Sequence, residues 1–280
     1  MSAAPNPTRP QRPKVRSDCV ISSPAAVPFR VPASFSGSST PLATPRSAGA
    51  RSSASLHAQR NPGRPMFIGI GGGRGSGKEH TCRNIIDTLR RLGHAELADR
   101  VVHLHLDDFH RVPSAAELEQ LRLGNEQINL DHPESFDFEL LHGVLGKLGA
   151  GEHAEVPVWD RGSLERTGWR AIECSPRVVL VEGTLVLFGR EVRECLDMQV
   201  FLDVDSDTRL GRQVRAAIEA DAQVDLKRFL DRYLFVAKPS FEEFVWPTKR
   251  WADVIIPKGD RNGVAIELIA QRLIDLGQDP

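Results

Sequence analysis

Read for its hydrophobic and polar positions, the chain divides near residue 66. Upstream, apolar residues follow no period. From Met66 onward, short apolar runs of strand length alternate with stretches in which apolar residues recur at helical spacing. "MFIGIG" (66–71), "VVHLHL" (101–106), "VVLVEG" (178–183), "MQVFLDV" (198–204) and "ADVIIP" (252–257) predict five strands, the last closed by its proline. Cys82, Ile85, Ile86 and Leu89 mark one helical face, Leu210, Val214, Ala217 and Ile218 a second, and Ile266, Ile269, Leu273 and Leu276 a third. Apolar runs alternating with helices predict an α/β fold, a largely parallel sheet flanked by helices. Between 154 and 173, two β-like runs around a Gly-Ser turn predict a hairpin outside that sheet. No internal repeat is visible.

Composition narrows the picture. At 280 residues and 40% hydrophobic content the chain can build an ordinary globular core, and no apolar run approaches the roughly 20 residues that span a bilayer, so no membrane partner is expected. Cys19, Cys82, Cys174 and Cys195 are widely spaced. They suggest neither a disulfide framework nor a zinc site, and fit a reducing compartment. The net charge of -1 conceals an asymmetry: residues 1 to 65 hold nine Arg or Lys and a single acid, Asp18, leaving 27 basic against 36 acidic residues beyond. An acidic globular part makes a nucleic-acid partner unexpected. Residues 1 to 65, rich in Ser, Pro, Ala and Arg, are expected to be a disordered extension ahead of one domain at 66–280. That extension reads either as a plain tail on a cytoplasmic protein or as a transit peptide for a plastid or mitochondrion.

The candidate chemistry starts at the first strand. Gly72, Gly73, Arg74, Gly75, Ser76, Gly77 and Lys78 fill a phosphate-loop pattern between strand and helix, where backbone N–H groups converge on phosphate oxygens and Lys78 adds a mobile charge. The next position normally carries a magnesium-binding hydroxyl; here it is Glu79, which either ligates the ion or repels a triphosphate. A first-turn side chain is expected to point toward the phosphates, with Thr81 as a poor substitute. In "HLHLDDFHR" two acids follow a strand, and Asp107 is the candidate to orient an attacking hydroxyl and accept its proton, the alternative being a helix cap. Glu182 ends another strand, where it either holds magnesium or is merely solvated.

"IGIGGGRGSGK", "DDFHR", "NLDHPESFDFELL", "VPVWD", "VVLVEGTLVLF", "FLDVDSDTRL" and "KPSFEEFVWPTKRWADVIIPKG" follow the order and spacing of the uridine-cytidine kinase family, close to phosphoribulokinases. The resemblance covers residues 66 to 277. It implies a P-loop kinase fold with a β-hairpin for the substrate and a helical lid, using ATP and Mg2+ to phosphorylate the 5'-hydroxyl of a pyrimidine nucleoside. It implies Lys78 and Asp107 as catalytic groups, a nucleotide site from Gly72 through Glu79 and His80 with Lys258 and Asp260 beside the adenine, and metal contacts from Glu79, Asp107 and Glu182. For the nucleoside it implies Asp131 on the ribose, with His110, Trp159, Arg161, Arg212 and Arg215 around it. Whether the chain self-associates into a homo-oligomer is left open.

The departures from that family are specific. His110 and Trp159 stand where it has tyrosines, Arg161 where it has another aromatic, Leu164 where a histidine reads the base, and Gln213 where an arginine touches ribose. The lid, "EADAQVDLKR" (219–228), is poor in arginine, with Arg215, Lys227, Arg228 and Arg232 as candidates to compensate. Three readings stay open: a pyrimidine nucleoside kinase, a P-loop kinase for another small hydroxylated substrate, and a non-catalytic homologue. The domain boundary is directly testable. Removing residues 1 to 60 is expected to shift Tm by less than about 2 °C, corresponding to under about 1 kcal/mol in a domain of this size; a larger loss means that the extension is docked.

Overall fold

The structure, a computed structural model, describes residues 63–122, 129–173 and 175–278. The expected disorder or transit role of the N-terminal extension concerns residues that lie almost entirely outside these. Among the described residues the strands are β1 (Met66–Gly72), β2 (Val101–His105), β3 (Glu155–Asp160), β4 (Glu165–Ala171), β5 (Val178–Glu182), β6 (Met198–Asp203) and β7 (Val254–Pro257). Five of them form a parallel sheet in the order β2-β5-β1-β6-β7.

All seven residues of β1 and all five of β5 are buried, which explains their unbroken apolar runs: both sheet faces are covered. On one face Phe67, Val179, Val181 and Phe201 meet Leu141, Val144, Leu145 and Leu148 of the helix Phe138–Gly149. On the other, Ile68, Ile70, Leu180 and Val200 meet Cys82, Ile85 and Leu89 of the helix Lys78–Arg91, together with Ile266, Ile269 and Leu273 of the helix Gly263–Gln278. Two of the three apolar helical faces are therefore core. The third is not: in the helix Ser206–Ala220 the buried residue is Arg209, while Ile218 is 43% exposed. That helix turns polar side chains inward instead, for a reason that lies in the neighbouring loop.

The hairpin forms as expected. β3 and β4 pair antiparallel as a separate two-stranded sheet, with a register shift between Val158 and Trp159, and the hairpin packs on the turn that follows β2.

The start of β1 is clamped by one carboxylate. Asp197 accepts from Phe67 N (2.8 Å) and from Arg64 Nη1 (2.7 Å), its own N–H donates to Phe67 O (2.8 Å), and Arg64 Nη2 also donates to Cys195 O (2.8 Å). Asp197→Ala leaves a strand-end N–H and a guanidinium without their acceptor. It is expected to cost about 1–3 kcal/mol, read as a lowered urea midpoint at unchanged slope.

Candidate active site

The phosphate-loop segment leaves β1 at the carboxyl edge of the sheet, where open α/β sheets build their sites. Its turn depends on left-handed backbone: Gly75 has φ 80° and Gly77, immediately before the helix Lys78–Arg91, φ 87°. A Cβ on Gly77 would also meet Asp260 Cγ at 2.6 Å. The loop is braced from the helix Ser206–Ala220. Arg212 Nη1 donates to Gly75 O (3.2 Å) and to Asp260 Oδ1 (2.9 Å), and Gln213 Nε2 donates to Arg74 O (3.2 Å). Arg209 lies against Gly73, with its guanidinium 3.9 Å from the ring centroid of Phe241 and its Nε bonded to Val204 O (3.0 Å). These inward polar contacts replace the expected apolar stripe. Lys78 Nζ donates across the loop to Gly73 O at 3.3 Å, and Ser76 Oγ is buried without a hydrogen-bond partner. Desolvation lowers the Lys78 pKa, opposed by the charges of Glu182 and Asp107.

Those two carboxylates stand at strand ends. Glu182 closes β5, accepting a hydrogen bond from His105 Nδ1 at 2.8 Å. Burial pushes the Glu182 pKa up, but the His105 hydrogen bond and the Lys78 charge outweigh it and hold the group below its ordinary value. The same hydrogen bond raises the pKa of His105. Asp107 lies in the one-turn segment Leu106–Phe109 just beyond β2, and Arg161 Nη2 of the hairpin approaches its Oδ2 to 3.5 Å. The neighbouring Asp108 carboxyl is raised by burial. Neither acid caps a helix. Asp131, 9% exposed, faces Arg74 Nε at 3.9 Å.

Beside Asp107 lies a buried aromatic cluster. His110 is 1% exposed, its ring 4.2 Å from that of Phe136 and 5.4 Å from that of Trp159, with Nδ1 against Ser135 O at 3.0 Å. His110 Nε2 and Trp159 Nε1 are both buried and lack a hydrogen-bond partner among the described residues. Buried polar atoms are nearly always satisfied; two unsatisfied donors or acceptors in one cluster suit a polar, ring-shaped ligand. Ser76 Oγ makes the same case for a phosphate at the loop, so the residues present fit both a nucleotide and a nucleoside.

Other candidate residues go elsewhere. The carboxylate of Glu79 pairs with Arg83, one turn along the exposed helix face, rather than being left free toward the loop. His80 is exposed, and the Thr81 hydroxyl is spent on Gly77 O (3.0 Å). Lys258 is exposed, whereas Asp260 reaches the loop through Arg212. Arg215 sits on the surface with Glu219 (3.4 Å), and Lys227 of the lid with Asp231 (2.9 Å). Sequence reasoning missed Ser76 Oγ as the orphaned hydroxyl, Arg209 and Gln213 as braces, and His105 as the partner of Glu182. The alternation of His103 and His105 along a strand carried a signal for the last of these.

Comparison with known proteins supplies context. A sequence model of the "Phosphoribulokinase / Uridine kinase family" matches residues 67–265. Uridine-cytidine kinase 2-B of Danio rerio is 37% identical over 220 residues, 79% of this chain and 82% of that protein. The chloroplastic uridine/cytidine kinase UKL1 of Arabidopsis thaliana is 36% identical over 236 residues, 83% of this chain but 46% of that longer protein. Among solved structures, a putative fructose transport system kinase from Silicibacter superposes with TM-score 0.54 at 22% identity, covering 73% of this chain and 95% of that one. Phosphoribulokinase from Rhodobacter spheroides superposes with TM-score 0.51 at 16% identity, covering 70% and 71%, a likeness of fold.

The loop geometry is testable with an internal control. Gly77→Ala and Gly93→Ala both force a left-handed φ on alanine, at 87° and 88°, but only at Gly77 does the new methyl meet a neighbour. Gly93→Ala is expected to cost about 1–2 kcal/mol. Gly77→Ala should cost about 1–3 kcal/mol more, because Asp260 and its bond to Arg212 must shift; equal losses in Tm would remove the packing role of Asp260.

Proposed function

The chain belongs to the phosphoribulokinase / uridine kinase family, and on that premise we propose that it phosphorylates the 5'-hydroxyl of a pyrimidine nucleoside. The observation that carries this reading is the pairing of Lys78, Asp107 and Glu182 in one electrostatic field with an aromatic cluster whose His110 Nε2 and Trp159 Nε1 have no hydrogen-bond partner among the described residues. ATP with Mg2+ would supply the phosphoryl group and neutralise the charge that develops on it.

The protein's own residues divide the work. The glycine-rich backbone and Lys78 cradle phosphate oxygens, with Ser76 Oγ aimed into the same loop. Glu182 is the acid that would hold magnesium, its pKa lowered by the His105 hydrogen bond and the Lys78 charge against the effect of burial. Asp107, released from Arg161 when substrate enters, accepts the proton of the attacking hydroxyl. Asp131 would take the ribose hydroxyls, and His110 and Trp159 would meet the base. Leu164 removes a polar contact that the family resemblance places on the base, which supports an altered base preference, and Gln213 removes one on the ribose. The surface pairing of Arg215 and Lys227 favours the non-catalytic alternative, since neither cation is held at the loop. The chloroplastic relative in Arabidopsis, together with the Arg- and Ser-rich leader segment, supports an organelle as the alternative to the cytoplasm.

ADP release across a panel of nucleosides and sugars tests the reading: turnover of uridine or cytidine supports it, turnover of a different acceptor alone redirects it, and none at all favours the non-catalytic homologue. Asp107→Asn keeps shape but removes the proton acceptor. It is expected to lower kcat by about two to four orders of magnitude with little change in ATP affinity. Glu79→Ser should change ATP affinity by less than about threefold, with or without magnesium, because Arg83 already balances the carboxylate. A tenfold gain without magnesium would show that Glu79 opposes the phosphates after all.

A further inference from the structure

Two histidines that phosphoryl transfer leaves unused stand beside Glu182. His103 and His105 are two residues apart on β2 and so share one face of the sheet. The parallel register sets His105 beside Glu182 on β5. A ring nitrogen from each histidine and a carboxylate oxygen of Glu182 lie within 4.8 Å of one another. The His103 and His105 rings are 4.1 Å apart between centroids, and His103 Nε2 is buried with no hydrogen-bond partner among the described residues. The His105–Glu182 hydrogen bond explains two of the three residues; it leaves His103 unexplained.

We propose that His103, His105 and Glu182 form a binding site for a divalent transition-metal ion of the zinc class, distinct in ligand chemistry from a magnesium site. Two imidazoles and one carboxylate are the donor set that suits zinc, cobalt or nickel, whereas magnesium takes oxygen donors in octahedral geometry. With metal–ligand distances of about 2.0–2.2 Å, donor atoms of a tetrahedral site stand roughly 3.3–3.5 Å apart. Closing the cluster therefore needs the widest donor separation to shrink by up to about 1.5 Å and the 2.8 Å His105–Glu182 contact to open slightly, both by rotamer adjustment on one edge strand and its neighbour. Three protein donors leave a fourth position open to water or to a ligand atom. Glu182 would be shared with the kinase chemistry, so the metal would withdraw that carboxylate from magnesium. This consequence for activity rests on the kinase reading; the binding itself does not.

Calorimetric titration of Zn2+ into the full chain, stripped with chelator and free of nucleotide, tests the site. One equivalent is expected to bind, excess Mg2+ should not displace it, and His103→Ala and His105→Ala should each weaken it by at least about tenfold. His142→Ala and His153→Ala, on exposed histidines elsewhere, should leave it unchanged. His103→Gln keeps the bulk at the strand edge and should lose zinc in the same way, with its thermal unfolding in chelator reporting that the fold survives. Independently of any variant, zinc should protect His103 and His105 of the native chain from diethyl pyrocarbonate, mapped by peptide mass. Unaltered zinc affinity in folded His103 and His105 variants, or equal labelling with and without zinc, overturns the proposal. In a transfer assay, zinc should inhibit the native chain more strongly than the His103 variant; absence of transfer in both speaks against the kinase reading and leaves the binding result standing.

Discussion

A loop that aims its backbone N–H groups at one point cannot satisfy itself, and the rest of the site depends on how that loop is held from outside. Within it, one backbone bond, Ser76 N to Gly73 O at 3.1 Å, closes a turn. The remaining support comes from the helix Ser206–Ala220, whose Arg209, Arg212 and Gln213 point inward, and from Asp260 beyond β7. The carbonyls of Arg74 and Gly75 are thereby fixed, and with them the direction of the amides that follow. Buried arginine is costly unless hydrogen-bonded or stacked, and Arg209 is both. Burial lowers its pKa without giving it an alternative to the charged state at neutral pH.

That bracing explains where the amino-acid pattern was informative. Strands buried on both faces leave apolar runs, so the sheet, the hairpin and the glycine-rich turn were all legible, as were the helices Lys78–Arg91 and Gly263–Gln278 on one face; the helix Phe138–Gly149 on the other was not among the helical faces read from the sequence. The helix Ser206–Ala220 was misread because its inward face is polar: a hydrophobic period finds cores, not braces. Glu79 shows a related limit. Its position in the loop motif drew attention to phosphates, while Arg83, four residues on, supplied the nearer partner. The bonds between Asp107 and Arg161 and between His105 and Glu182 join residues 54 and 77 positions apart, and only the hairpin's docking and the β2–β5 register bring them together.

The site illustrates how a family's chemistry persists while its recognition surface changes. Acids at strand ends are fixed by the sheet and therefore keep their mutual geometry whatever the hairpin carries. The hairpin is a separate two-stranded unit, so side chains at its tip, such as Leu164 at φ 58°, can vary without disturbing the acids. Its Arg161 nevertheless reaches back to Asp107, coupling the charge of the candidate base to the position of the substrate-side element.

The place of β1 has a mechanical consequence. It is the central strand, paired in parallel with β5 through five residues on one side and with β6 through five on the other. Tension drawn through the N-terminal chain, as by a threading machine, acts along the axis of β1, so both ladders are loaded in shear and must yield together rather than unzip bond by bond. The Asp197 clamp is the first element such a pull would meet, and behind it stands the hydrogen-bonded centre of the whole sheet.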